Sequence, residues 1–523
     1  MIFDLDKSNI ISTDGYDLCV IGSGPSGLAI ALEFFNTDKK ILVIESGGKT
    51  INKKNSKLTN YDNVGLSYTN PNMQRARVLG GSSYFWGGNN IPLSKCDFEK
   101  SRSRPEYNWP FDYEEYEKYL DKAEKFLDLS VSFKDKIYNK KNKFTYKNFD
   151  TTKWIFCKYP FRLGEIYYQK LHESKNISVI LNATFTNMKL KQNSIDMIEV
   201  ASSSKKKYTI KSKYVVLATG GLENARILLD QIKKKNIFLP KVENNIGKYF
   251  AEHPNATIGV LNGKNADKFF KSYDINLISG QEIKPGLNIK YTSKESQKLL
   301  NSIISFWPIP KKYTIKNNLK LLAQLFREKD FNFKFLLRLF LSIPSMIFLL
   351  PVIYQRFKNK KINFDYQKNV YDIRIMSESK PNINSCIVMK EDKDEYGIYK
   401  FKLKWSVSYE DKLSISKTAE LLKKDIKSQN DLFVDLFSWV REPEGDWGQH
   451  LNVRPHFGHH MGTTRMSEDE SCGVVDSNCK VFGIKNLYIA GSSVFPTYGY
   501  ANPTITIVAL SIRLAAKIKR LLN

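Results

Sequence analysis

The residues best suited to catalysis lie near the C-terminal end of the chain. Four of the six histidines fall between His450 and His460, where the sequence from Gly458 reads GHHMGTTRM. A buried-strand pattern, a Gly-Ser turn and a loop with Asn502 at the start of a C-terminal helix follow. A histidine can act as a base near neutral pH, and an amide can donate and accept hydrogen bonds. The pattern therefore outlines an active site with a base and a hydrogen-bonding partner on rigid elements.

A glycine motif near the N-terminus predicts the cofactor of that site. Gly22, Gly24 and Gly27 directly follow an apolar strand over Tyr16–Ile21 and open a helix. Such glycines permit a tight turn, close approach of backbone to a pyrophosphate and close helix–strand packing, while the helix N-terminus attracts the phosphates. Glu45 ends the second strand, where its carboxylate can accept from ribose hydroxyls. The unit predicts a bound dinucleotide.

The rest of the chain favours FAD over NAD. The sequence contains one dinucleotide fingerprint, and no second unit of that kind is recognisable. Near the C-terminus, a strand over Leu487–Ala490 is followed by Gly-Ser-Ser and a helix, an order that recurs in flavoproteins. The apolar run after Lys213 fits a further, fully buried parallel strand.

Taken together, these segments resemble the glucose–methanol–choline (GMC) oxidoreductases, flavoenzymes that oxidise alcohols. The resemblance implies that a histidine and a second histidine or asparagine face the flavin. The H-x-x-G-T arrangement then identifies His459 as the catalytic base and Asn502 as its partner, although asparagine is also favoured as a helix N-cap. In layout the chain is most similar to the pyranose-oxidase-like branch and its bacterial sugar dehydrogenase relatives. The matching blocks are residues 14–48, 75–90, 213–230, 244–254 and 453–518.

The motif and the resemblance together predict a set of cofactor-binding residues. Some relatives attach the flavin through a histidine in a glycine-rich loop, but this chain has Phe85 at that place, so we expect non-covalent FAD. The predicted contacts are Gly22, Gly24, Ser26, Gly27, Glu45, Ser46, Gly80, Gly81, Ser82, Trp86, Gly491, Ser492, Asn502, Pro503 and Thr504.

The predicted fold class is α/β, with two intimately joined and interleaved domains. A Rossmann-like FAD-binding domain is assigned to residues 12–100, 206–258 and 451–523. A discontinuous substrate-binding domain, built on a mainly antiparallel sheet plus helices, takes residues 101–205 and 259–450.

Charge and cysteine content indicate which binding partners and which cellular location to expect for the protein. The formal net charge is +27, but the lysines are scattered and form no basic-aromatic module, so we predict no nucleic-acid partner. A solvated surface or affinity for an anionic membrane or substrate explains the charge. The six cysteines are dispersed, and the acidic N-terminus lacks a signal-peptide pattern, which predicts a cytoplasmic protein. No metal site is predicted, because acidic or cysteine ligands with suitable spacing do not accompany the clustered histidines.

An apolar segment over residues 335–355 leaves three interpretations open. It is about as long as a bilayer span, but Arg338, Pro344 and Pro351 interrupt it. It is interpreted as an insert of two short core or lid helices, as a peripheral membrane contact, or as a true span.

The predicted function is oxidation of a CH–OH group of a sugar or sugar-like alcohol by hydride transfer to flavin N5. A small-molecule alcohol is the predicted partner, and the electron acceptor is unassigned. One alternative keeps this chemistry but changes the substrate to a lipid-linked or long-chain alcohol at a membrane surface. Another is an inactive flavin-binding scaffold.

Overall fold

The computed structural model describes residues 1–7, 15–66, 68, 74–100, 107–135, 144–158, 161–310, 366–429, 431–451 and 458–523. The strands in this part of the chain are β1 (Ile2–Asp4), β2 (Tyr16–Ile21), β3 (Ile41–Ile44), β4 (Asp62–Gly65), β5 (Asn89–Asn90), β6 (Phe149–Phe156), β7 (Ile177–Leu181), β8 (Thr184–Lys191), β9 (Ser194–Ala201), β10 (Lys207–Ile210), β11 (Ser212–Leu217), β12 (Asn255–Asn262), β13 (Asn276–Ile278), β14 (Gln281–Ile289), β15 (Ser302–Pro310), β16 (Tyr366–Ser377), β17 (Cys386–Lys393), β18 (Tyr399–Trp405), β19 (Phe433–Leu436) and β20 (Leu487–Ile489). The α-helices are α1 (Pro25–Glu33), α2 (Lys53–Lys57), α3 (Lys95–Phe98), α4 (Tyr113–Glu117), α5 (Leu120–Phe126), α6 (Leu163–Ile166), α7 (Tyr168–Glu173), α8 (Glu223–Lys233), α9 (Ala266–Tyr273), α10 (Tyr291–Ser296), α11 (Tyr409–Lys427) and α12 (Pro503–Leu522).

A six-stranded parallel sheet forms the cofactor half of the molecule. Its strand order is β1-β7-β3-β2-β11-β20, and every neighbouring pair is parallel. All four residues of β3 and the last four of β2 are buried, as expected for strands covered on both faces. Helix α1 packs against α12, so the glycine turn after β2 and the loop before α12 are held beside each other.

An eight-stranded antiparallel sheet forms the other half. Its main path is β19-β12-β16-β15-β14-β6-β5, with β13 paired to β14. Helices α9 and α11 pack on it, and their apolar faces contribute to a second core that includes Phe269, Phe306, Ile373 and Leu422. The α/β class, with a Rossmann-like part and a mainly antiparallel part, is therefore confirmed. Two smaller sheets, β10-β9-β8 and β17-β18-β4, complete the described strands.

The antiparallel sheet brings several segments to the cofactor half. Strand β5 comes shortly after the glycine-rich loop at Gly80 and Gly81 and pairs with β6. Strand β12 begins directly after His253 and Pro254. The ends of β6 and β12 therefore lie where their side chains can reach the N-terminus of α12.

Sheet membership differs from the predicted division at two strands. Ile177–Leu181 falls in the range assigned to the substrate domain, but it pairs in parallel with β3 and so belongs to the cofactor sheet. Ile2–Asp4 lies before the predicted start of the FAD-binding domain, but it pairs in parallel with Ile177–Leu181 in this sheet. Neither run is followed by a glycine turn like the one that marks β2, so neither carries a local signal for the sheet it joins.

The apolar segment 335–355 lies outside the described residues. Within the described part of the chain, no helix is long and apolar enough to cross a membrane.

Candidate active site

The turn after β2 is shaped by glycines for a phosphate-bearing ligand. Gly22 has φ +105°, and a Cβ there would lie 2.5 Å from the Ala218 carbonyl oxygen. A Cβ on Gly27 would lie 1.9 Å from the Gly22 oxygen, so this position must be glycine for α1 to pack. Gly24, in contrast, faces open space, with no atom within 4 Å of an added Cβ. The turn thus offers free backbone at a helix N-terminus, which fits the pyrophosphate of a dinucleotide.

Glu45 lies beside this turn and helps to hold it. One carboxylate oxygen accepts from the Ser23 hydroxyl at 2.6 Å and the Ser23 amide at 3.1 Å, and the other accepts from the Gly47 amide at 2.8 Å. Burial raises the pKa of Glu45, and these donors oppose that shift. The structure therefore gives Glu45 a role in fixing the loop, and its contact with a ribose stays a prediction.

A single cavity of about 460 Å³ joins the glycine turn to the C-terminal histidines. All predicted cofactor residues line it except Gly27 and Gly80, which are packed against protein backbone instead. Phe85 also lines the cavity, and the Trp86 indole is fixed by donating to the Phe161 carbonyl at 2.7 Å. His459 and Asn502 line the same cavity.

His459 and Asn502 lie within hydrogen-bonding distance of each other. The Asn502 amide nitrogen is 3.4 Å from His459 Nε2. Asn502 is the N-cap residue of α12, yet its side chain makes no capping hydrogen bond to a described residue. Instead, its carbonyl oxygen accepts from the Trp154 indole at 2.9 Å. The amide is thus held facing the histidine and the cavity, which is the pairing the resemblance implies.

Behind His459 lie two residues that the sequence analysis did not select. His253 Nδ1 is 2.9 Å from His459 Nδ1, and His253 Nε2 is 3.4 Å from the Tyr498 carbonyl oxygen. Glu252 accepts from the His459 amide at 2.7 Å and from the His253 amide at 3.0 Å, and the Tyr68 hydroxyl donates to it as well. A Glu252 oxygen is also 3.5 Å from His459 Nδ1. The candidate base is therefore held from behind by an imidazole and a carboxylate.

Burial sets the protonation of this cluster. It lowers the pKa of His459 well below the ordinary value, helped by the nearby His253 and His460, so the imidazole is neutral at physiological pH. Burial also lowers the pKa of His253 to about 4. It raises the pKa of Glu252 to about 7, against the effect of the hydrogen bonds from Tyr68 and the two amides. His459 is thus neutral and has one unprotonated ring nitrogen, which is the protonation state a general base requires.

The other histidines of the cluster have different surroundings. His460 also lines the cavity, but its ring packs near Tyr68 and Phe250, at centroid distances of 5.8 and 6.0 Å. Burial lowers its pKa to about 3. His450 stacks on Trp439 at 4.4 Å. His456 lies outside the described residues.

The site residues that were not predicted differ in how clearly the sequence marks them. Glu252 and His253 lie in the block 244–254 that resembles the family, and an adjacent acid and histidine were visible there. Trp154 and Tyr68 had no signal, because each comes from a segment without a motif and reaches the site only through the tertiary fold.

Glu252, His253 and His459 are also close enough to be considered as metal ligands. Within the described residues, one ligand atom from each lies within 4.8 Å of the others. The close Nδ1–Nδ1 approach of the two histidines is already explained by a hydrogen bond, and their burial favours neutral rings. The prediction that the chain holds no metal stays a prediction.

Comparison with known sequences gives a family match in the C-terminal part. The family described as GMC oxidoreductase matches residues 381–511. A C-glycoside 3-oxidase from Arthrobacter globiformis is 44% identical over 61 residues, which cover 12% of this chain and 12% of that protein. A C-glycoside 3-oxidase from Microbacterium trichothecenolyticum is 41% identical over 56 residues, 10% of this chain and 11% of the relative. The match thus spans only about an eighth of the length of these curated relatives.

Comparison with solved structures extends over nearly the whole chain. A formate oxidase from Aspergillus oryzae superposes with a TM-score of 0.54 at 15% identity, covering 98% of this chain and 99% of the other. Pyridoxine 4-oxidase from Mesorbium loti gives 0.52 at 12% identity, covering 97% and 99%. At these identities the likeness concerns the fold. The GMC oxidoreductase match is therefore shown for the C-terminal part of the chain, and nearly the whole chain shares its fold with these solved oxidases.

Proposed function

We propose that this protein is an FAD-dependent oxidoreductase that oxidises a CH–OH group of a sugar or sugar-like alcohol. The observation that carries the proposal is the pairing of His459 Nε2 with the Asn502 amide, 3.4 Å apart, in the cavity that also contains the dinucleotide turn. A base and a hydrogen-bond donor at this distance can both contact one hydroxyl oxygen.

The reaction needs a proton acceptor and an orienting group at the alcohol oxygen. His459, neutral because of its burial, takes the hydroxyl proton on Nε2. The Asn502 amide donates to the same oxygen and fixes it, since Trp154 holds the amide oxygen away from the substrate. FAD, when bound, supplies the acceptor for the hydride that leaves the carbon. The alcohol thus loses one proton and one hydride and becomes a carbonyl compound.

The glycine turn and the neighbouring part of the cavity support non-covalent binding of FAD. Gly24 leaves room for backbone contact with phosphates, and Gly22 and Gly27 shape the turn. Phe85 lines the cavity and offers no nucleophilic atom for a bond to the flavin. On acid precipitation we expect the yellow cofactor in the supernatant, and a flavin that stays with the pellet contradicts non-covalent binding.

A sugar-like substrate is favoured by the curated relatives. Two of them are C-glycoside 3-oxidases, whose name describes oxidation of a glycoside. Polar groups with hydrogen-bonding capacity, among them Gln74, Arg75 and Asn89, also line the cavity and suit a polyhydroxylated ligand better than a hydrocarbon chain.

The test is anaerobic mixing of the yellow protein with free sugars, nucleotide sugars, and long-chain or polyprenyl alcohols, with flavin absorbance as the signal. We expect bleaching by a compound of the sugar classes. Bleaching by the long-chain alcohols alone overturns the substrate class. If the protein carries FAD and every alcohol of the panel fails, the proposed substrate classes are overturned, and either a specialised biosynthetic substrate or the inactive scaffold takes their place.

A histidine variant then tests the assignment of the base. We expect His459→Ala to retain FAD and to lower the rate of flavin reduction by about 10²–10⁴-fold, the usual contribution of a general base. His172→Ala is the matched control, because His172 is an exposed histidine on α7, stacked on Tyr168. A wild-type reduction rate in His459→Ala rules out the assignment.

A further inference from the structure

We infer that His253 and Glu252 are positioning residues that hold His459 as the tautomer with an unprotonated Nε2 and place a carboxylate beside its Nδ1. The inference rests on the proposed function and assigns roles to two residues outside the predicted catalytic pair. It follows from a chain of hydrogen bonds whose two ends each permit only one direction of proton donation.

The first end is the Trp154 indole, which can only donate. Its nitrogen lies 2.9 Å from an Asn502 side-chain atom, which must therefore be the carbonyl oxygen. The Asn502 amide nitrogen then faces His459 Nε2 at 3.4 Å, and it too can only donate. His459 Nε2 is accordingly the acceptor, and the proton of this neutral ring sits on Nδ1.

The second end is the Tyr498 carbonyl, which can only accept. It lies 3.4 Å from His253 Nε2, so that nitrogen carries the proton. His253 is buried and neutral, which leaves its Nδ1 without a proton. This nitrogen lies 2.9 Å from His459 Nδ1 and accepts from it. Both ends of the chain thus assign the same tautomer to His459, with the lone pair of Nε2 directed at the cavity side.

Glu252 adds a charge to this arrangement. Its oxygens accept from the backbone amides of His253 and His459 and from the Tyr68 hydroxyl, so three donors orient the carboxylate. One oxygen is 3.5 Å from His459 Nδ1. When His459 takes a proton from the alcohol, the ring becomes cationic in a buried place, and a carboxylate at this distance stabilises that cation.

Several ionisable groups of the described residues act on Glu252 and the two histidines from neighbouring elements. They are Tyr61, Tyr68, Asp97, His460 and, next to His460, Arg75. Among these only Tyr68 contacts the carboxylate with its own polar atom.

A pair of substitutions at His253 separates positioning from packing. In the FAD-bound enzyme, His253→Leu removes the acceptor, whereas His253→Asn leaves an amide oxygen near the place of Nδ1. We expect His253→Leu to slow flavin reduction at saturating alcohol by about 100-fold, with substrate affinity nearly unchanged, and His253→Asn to stay within about tenfold of wild type. If both variants bind FAD and reduce equally fast, the positioning role is overturned.

Glu252→Gln tests the charge. In the wild type we expect the reduction rate to rise with pH through about 7, as Glu252 becomes anionic. In Glu252→Gln that rise should be absent, and the rate should remain low at all pH values. A pH profile identical to wild type overturns the role of the carboxylate. Tyr68→Phe, which removes one donor and no charge from the carboxylate, should shift the rise to higher pH without abolishing it.

A readout besides activity keeps this inference distinct from the proposed function. With the six histidines labelled with ¹⁵N in the FAD-bound protein, the ring signals distinguish protonated from unprotonated nitrogens. We expect His459, identified by loss of its signals in His459→Ala, to carry its proton on Nδ1, and His253→Leu to remove this preference. A proton on Nε2 overturns the inference even if alcohols are oxidised, whereas the expected tautomer without oxidation overturns only the proposed function. Metal analysis of the same sample completes the test, because a stoichiometric cation on Glu252, His253 and His459 overturns the hydrogen-bonded arrangement.

Discussion

The glycine turn and the histidine cluster lie on one cavity but are built in opposite ways. The turn is a continuous piece of chain, from β2 through Gly22 and Gly27 to α1, and its shape follows from glycines a few residues apart. The histidine cluster and its partners come from distant parts of the chain: Trp154 from β6, His253 from the segment just before β12, and His459 and Asn502 from two later loops. The cofactor site is therefore specified locally, whereas the catalytic geometry depends on the docking of the two sheets.

The largest effect on flavin binding and stability is expected from Gly27→Ala, which adds a methyl group to the glycine turn. In Gly27→Ala the new Cβ meets the Gly22 carbonyl oxygen at 1.9 Å, and this neighbour is backbone that cannot move without reshaping the turn. We expect loss of bound flavin and destabilisation of the protein by about 1–3 kcal/mol. The ratio of flavin to protein absorbance and thermal unfolding measure the two effects.

Gly24→Ala is the matched control for that substitution. Its Cβ points into open space, so the protein without cofactor should be as stable as wild type, and only the affinity for FAD should fall, by about tenfold or more. If Gly24→Ala binds FAD normally, the dinucleotide does not approach the turn at this residue, and the glycine turn alone does not specify the cofactor site.

At the assembled site, Asn502→Ala should slow flavin reduction by about 100-fold without loosening α12. The reason is that Asn502 uses its side chain on His459 and Trp154, and not on the helix it precedes. Ser408, which does cap α11 by accepting from the Asp411 amide, is the contrasting position. Ser408→Ala should cost about 1 kcal/mol of stability and leave the reduction rate unchanged. Stopped-flow reduction and urea unfolding of both variants provide the check, and a reversed pattern contradicts the assignment.

A smaller effect is expected from Trp154→Phe. The ring is retained and the indole donor is lost, so the Asn502 carbonyl oxygen no longer has a partner that fixes the amide. We expect reduction to slow by about 10–50-fold while FAD stays bound. Trp86→Phe is the matched control: its indole donates to the Phe161 carbonyl, away from Asn502, so it should not alter the orientation of the amide. The ¹⁵N signals of His459 report this orientation, and an unchanged tautomer ratio with an unchanged rate in Trp154→Phe contradicts the proposed chain of hydrogen bonds.

The same contrast explains how far the sequence was informative. Strand Tyr16–Ile21, the helix after it and the pair His459 and Asn502 could be predicted, since short spacings and a family pattern carry them. Strand Ile177–Leu181 was assigned to the other domain, because an apolar run does not specify which sheet it joins. Trp154 and His253 could not be assigned roles, because their contacts with Asn502 and His459 span more than 200 residues of chain. Register between distant strands, which sets such contacts, is a property of the packed core.

The smallest expected effect concerns His460, the neighbour of the base. Burial lowers its pKa from 6.5 to about 3, so the folded protein binds fewer protons at this ring than the unfolded chain does, and stability falls as pH drops below about 6.5. The pKa of Glu252 is shifted in the opposite direction, so this residue stabilises the folded protein as pH falls over part of the same range. Its contribution is common to the wild type and His460→Phe and cancels when the two proteins are compared. Between pH 7 and pH 5.5 the wild type should therefore lose about 1 kcal/mol more than His460→Phe. Urea unfolding at the two pH values measures this difference, with His172→Phe on exposed α7 as the control. Equal pH dependence in wild type and His460→Phe would mean that the ring is solvated in solution, and the packed cluster behind the base would then be looser than its geometry indicates.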